Sequence, residues 1–98
     1  MIHTNFRSVV ICETGRMWKA FVINLKHNFQ LTEATQLHAV LGSIDYTPIF
    51  TSNFERIYSM RIDQAIFYNC PPIREDHALL LRTRFDNPMK PYIVEIWD

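Results

Sequence analysis

The stretch Ser8-Val9-Val10-Ile11-Cys12-Glu13-Thr14-Gly15-Arg16-Met17-Trp18-Lys19-Ala20-Phe21-Val22-Ile23-Asn24-Leu25 decides how the whole chain is read. Two runs rich in Val, Ile, Phe and Trp flank Thr14-Gly15, and such runs around a glycine-containing pair predict a β-hairpin. With those two residues as the turn, Glu13 faces Arg16, Ile11 faces Trp18 and Val9 faces Ala20. An opposite-charge pair then sits beside the turn with apolar pairs behind it. The two faces of this ribbon do not separate into apolar and polar. Val9, Ile11, Trp18, Ala20 and Val22 fill one; Phe6, Val10, Cys12, Met17, Phe21 and Ile23 crowd the other, interrupted by Ser8 and Lys19.

Further along, Leu31 to Leu41 reads as a short helix capped by Thr32, with Ala34, Leu37 and Leu41 on one stripe, His38 at its edge and Gly42 just past its end. Ser43 to Phe50 reads as an extended connection, because Pro48 lacks an amide donor and restricts any strand here to a sheet edge. Ser52-Asn53-Phe54-Glu55 matches a capping box. Phe54, Ile57, Tyr58, Ile62, Ala65 and Ile66 then recur at helical spacing, opposite Glu55, Arg56, Ser59, Asp63 and Gln64, and Pro71-Pro72 close the segment. Ala78 to Phe85 and Tyr92 to Trp97 form a second predicted hairpin around residues 86–91, with Phe85 across from Tyr92 and Arg82 across from Glu95. The order strand, strand, helix, helix, strand, strand predicts an α+β fold. Its expected form is an antiparallel sheet of two hairpins with both helices packed on one face.

With 98 residues, 48% of them hydrophobic and 20% charged, the chain has the make-up of one globular domain spanning 1–98. Ten basic residues balance ten acidic ones, which argues against an acidic mimic of DNA and against a binder held mainly by phosphate neutralisation. Two cysteines make no disulfide framework, no stretch nears the ~20 apolar residues that span a bilayer, and Met1 to Arg7 leads into no targeting pattern. A cytoplasmic protein is expected.

The chemistry-bearing residues are sparse. His3, His27, His38 and His77 are scattered, with no His-x-x-x-His or Cys-x-x-Cys spacing, so neither a metal nor another cofactor is expected. Glu75-Asp76-His77 are consecutive and read as a loop, Cys70 has no neighbouring base, and Cys12 sits inside a strand. No glycine-rich phosphate loop or nucleophile elbow occurs, and an enzyme is not expected.

A two-layer domain with helices on one side leaves the second face of the first ribbon bare, and large exposed apolar patches mark partner surfaces. The expectation is a protein-binding module, an adaptor or stoichiometric inhibitor that works by occlusion of another protein or of a second copy of itself. Met17, Phe21 and Ile23 are its anchors, with Val10 and Lys19 beside them. The same surface is equally accounted for if residues 43–50, with Phe67 and Tyr68, wrap over it. A chain of this size also fits the size class of viral or mobile-element accessory proteins. The competing expectation is a nucleic-acid-binding domain, in which Arg82, Arg84 and Trp97 share one sheet face to hold a backbone and stack a base. Its ordinary counterpart is a solvated face with Glu95 neutralising Arg82.

Overall fold

Thr14 and Gly15 begin a helix, not a turn. The computed structural model, which describes residues 6–25 and 44–98, has Thr14 Oγ1 accepting the Met17 amide at 3.3 Å and Thr14 O accepting the Trp18 amide at 3.2 Å. That is a threonine N-cap, and it competes for the same residue types as a tight turn. The elements are β1 (Phe6–Cys12), α1 (Gly15–Leu25), β2 (Ile44–Phe50), a 3-10 segment (Thr51–Ser59), β3 (Gln64–Tyr68), α2 (Glu75–Arg84) and β4 (Ile93–Ile96). The strands form one sheet in the order β2-β1-β3-β4. Every pairing is parallel: Phe6 with Ile44, Ser8 with Gln64, Ala65 with Ile93.

The antiparallel two-hairpin sheet is therefore corrected to a parallel one, and the reason lies in β1. A central parallel strand is covered on both faces, so it reads as a continuous apolar run with no polar side. Val9, Ile11 and Ala65 join Phe54, Ile57, Leu81 and Phe85 in a core on the side of the 3-10 segment and α2. Val10, Ile66 and Tyr68 join Phe21 of α1 in a second core, with Met17, Trp18, Ala20 and Leu25 packed against it. Each large apolar side chain removed from water here contributes about 1.5–3 kcal/mol. The surplus of apolar residues around Val10 is thus consumed by a second helical layer. Ser8 and Gln64, buried polar residues directly paired in register, satisfy each other through Ser8 Oγ donating to Gln64 Oε1 at 3.2 Å.

The other elements follow the same logic. β2 is an edge strand, which accommodates Pro48. The long helix expected from Ser52 is a 3-10 segment that ends at Ser59, carries no side-chain cap bond and breaks at Asn53 (φ −140°, ψ 50°). Phe54 and Ile57 are buried as its spacing requires, but Tyr58 is exposed, and Ala65 and Ile66 belong to β3. The apparent helical period was a short turn followed by a buried strand, two patterns that overlap over a few residues. Residues 78–84 lie in α2, with Glu75 and Asp76 in its first turn and Arg82 and Arg84 in its last, as the helix dipole favours. β4 does form within the expected Tyr92 to Trp97 but pairs with β3. The helix expected over 31–41, with His38, lies outside the described residues, as do His3 and His27.

Candidate functional site

At β1 and β3 the connections diverge. The chain leaves β1 through α1 on one face of the sheet and leaves β3 through α2 on the other. In open parallel sheets this switch leaves a crevice beyond the carboxyl ends of the two strands, the usual place for a ligand. Here the residues at those ends are Cys12, the last of β1, with Glu13 and Thr14 after it, and Asn69, Cys70 and Pro71 after β3. Asn69 takes a left-handed backbone (φ 47°) and its Oδ1 accepts the Asp98 amide at 2.7 Å. This bend brings Cys70 into the core on the α2 side.

Beside the crevice, on the α2 face, opens a cleft of about 230 Å³ lined by Thr51, Pro71, Pro72, Ile73, Arg74 and His77. The Pro and Ile side chains make it chiefly apolar. The His77 ring is stacked on buried Phe54, centroids 4.5 Å apart and planes 10° from parallel, which fixes the imidazole at the wall. Arg74 is committed elsewhere: its Nε and Nη2 donate to the two Asp76 carboxylate oxygens at 3.0 and 2.5 Å. That fork, with the His77 amide and nearby charges adding to it, holds the Asp76 carboxyl below the usual carboxylate range. Besides Arg74, the side chains of the lining that carry a hydrogen-bonding group are Thr51, with its hydroxyl, and His77, with its imidazole.

The two thiols at these strand ends are not prepared as nucleophiles. Burial, and secondly the charge of Cys70, push Cys12 up to about 11; burial, and secondly Glu13, push Cys70 up as well. Both stay protonated near neutral pH. Among the described residues no group of three His, Cys, Asp or Glu is placed to hold a metal ion.

The residues singled out from the sequence are dispersed. Val10 and Phe21 are fully buried, Met17 is half-buried against Phe21, and Lys19 and Ile23 are exposed on α1. Met17, Phe21 and Ile23 do not share a ribbon face, because about 100° per residue turns Ile23 away from Phe21. Arg82 and Arg84 lie on α2, and Arg84 Nη1 donates to the Tyr58 carbonyl at 2.8 Å, so these two and Trp97 form no common sheet face. Thr51, Ile73 and Arg74 were not anticipated, since their convergence depends on a strand order that no local pattern encodes. Comparison with protein-family models, curated proteins and solved structures finds no match. No helix among the described residues is long and apolar enough to cross a membrane.

Proposed function

We propose that the protein binds a small, mainly apolar molecule carrying one hydrogen-bonding group in the cleft at the carboxyl edge of its sheet. The observation that carries this reading is the position of the cleft: Thr51 follows β2, Pro71 to Arg74 follow β3, and His77 stands in the first turn of α2. This is where parallel sheets place ligands, and that part of the argument is by analogy of architecture. Occupancy by an anion is disfavoured, because Glu75 and Asp76 hold the α2 N-terminus and Asp76 already neutralises Arg74. The test is a titration with phenol and with cyclohexanol followed by amide NMR shifts. Saturable shifts centred on Thr51, Ile73 and His77, abolished by Thr51→Phe, support the proposal; shifts scattered over the surface refute it.

A second reading keeps recognition of another protein, now through the outer face of α1. Ile23 is 60% exposed and Val22 37%, next to Lys19. On this reading Ile23→Asp abolishes capture or self-association measured by light scattering, and unchanged association sets it aside.

A further inference from the structure

β4 is an end strand of the sheet, and among the described residues no strand pairs with its outer edge. Tyr92 O and Ile96 O accept the Ala65 and Asn69 amides, each at 2.9 Å, so these residues turn their carbonyls towards β3. Main-chain groups alternate along a parallel ladder, and the amides and carbonyls of Ile93 and Glu95 therefore point outward. We propose that this edge pairs antiparallel with the same edge of a second copy of the chain, joining two four-stranded sheets into one.

Three observations favour a second copy as the occupant. The first is charge. Lys90 precedes the strand and Asp98 follows it, and Lys90 makes no ion pair among the described residues. Asp98 Oδ2 accepts from Tyr68 Oη and Asn24 Nδ2, neutral donors that fix the carboxylate at the strand end and leave its charge in place. An antiparallel copy brings each basic end beside the other's acidic end, whereas a parallel copy brings like ends together. The second is register. A twofold axis at Val94 sets that residue against its own copy, Tyr92 opposite the partner's Ile96 and Ile93 opposite the partner's Glu95. Glu95, the one charge inside the strand, then avoids facing itself. Ile93, 46% exposed in the single chain, gains the partner's Trp97 as a diagonal neighbour, and that ring is 64% exposed before pairing. The third is the difference between the two edges of the sheet. β2 carries Pro48 and Asp45, residue types that blunt an edge, while β4 contains no proline. An isologous contact through β4 alone closes at two copies and builds no filament.

The test is sedimentation equilibrium of the full chain over roughly a hundredfold range of concentration. The mean mass is expected to rise from that of one chain towards that of two. Glu95→Pro removes an outward amide and no bond to β3, so this variant is expected to remain a monomer with the far-UV circular dichroism of the parent. Lys90→Glu alters an exposed residue outside the helices and strands, and it weakens association roughly tenfold because symmetry applies the like-charge contact twice. Should Glu95→Pro fail to fold, Lys90→Glu decides alone. A chain that stays monomeric throughout, or association unchanged in folded Glu95→Pro or in Lys90→Glu, overturns the proposal. Association lost in Ile23→Asp but kept in Glu95→Pro also overturns it and assigns the contact to the outer face of α1.

Discussion

Replacing Phe21 by Ala probes the helix that stands where a hairpin was expected. The Phe21 ring is fully buried, 5.8 Å from Trp18 and 5.5 Å from each of Tyr46 and Tyr68, the last two edge-on. Truncating such a side chain removes its transfer energy and leaves a cavity that neighbours refill only in part, about 3–5 kcal/mol in total. A domain of this size is stable by roughly 5–15 kcal/mol, so the variant loses at least a fifth of its stability and at most all of it. Ile23, two residues on, is 60% exposed, and Ile23→Ala changes stability by no more than about 0.5 kcal/mol. Urea unfolding followed by tryptophan fluorescence, with both variants compared at a common slope, measures the two values. On a ribbon, positions 21 and 23 share a face and respond alike; on a helix they point about 200° apart. A Phe21→Ala loss below about 1 kcal/mol, or equal losses at the two sites, refutes the assignment of α1 and of the core beneath it.

Three further outcomes follow from the same structure. A Cβ on Gly15 meets nothing within 4 Å, so Gly15→Ala raises stability in thermal melts by about 0.4–1 kcal/mol, where a glycine-dependent turn would lose stability. Tyr68 Oη donates to Asp98 Oδ2 at 2.9 Å and accepts from Asn24 Nδ2 at 2.8 Å, and Tyr68→Phe costs about 1–2 kcal/mol in urea unfolding. Cys12, Cys70, Tyr46 and Tyr68 all have folded pKa values raised, mainly by burial. The neutral forms favour the fold, so their contribution is intact below about pH 9 and falls as pH rises, for Cys12 through about 11. Chemical denaturation across that range shows the decline, and iodoacetamide modifies the thiols slowly at pH 7.5 unless urea is present.

The strands β1 and β4 were legible, but α1 and α2 read as strands, β3 as part of a helix and β2 as an extended connection, and the connectivity was not legible. The run from Ser8 to Cys12 reads as a strand in any treatment, and Pro48 correctly limits its strand to an edge. The acidic start and basic end of residues 75–84 were a readable helix signal that the alternation of Leu79, Leu81 and Thr83 obscured. Thr14-Gly15 satisfies both a turn and a helix start, and residues 16–25 carry apolar side chains at every phase, so neither period wins locally. What decides between them is the lack of any polar side on β1, the mark of a strand enclosed between two layers. The candidate cleft was invisible for the same reason. Thr51, Pro71 and His77 meet only because β1 separates the ladders of β2 and β3.

The ladders also shape how the protein must be made. Phe6 finds Ile44 across 38 positions, Ala65 finds Ile93 across 28, and Ser8 waits for Gln64 across 56. No adjacent pair of strands can zip from a tight turn, so nucleation has to close long loops before any contact rewards it, and folding belongs to the slower end of small-domain kinetics. During synthesis α1 and β2 are at hand early for the Val10 face and one edge of β1, whereas its Val9 and Ile11 face and its β3 edge stay bare until the second half of the sequence has left the ribosome, an interval in which chaperone engagement has the most to gain.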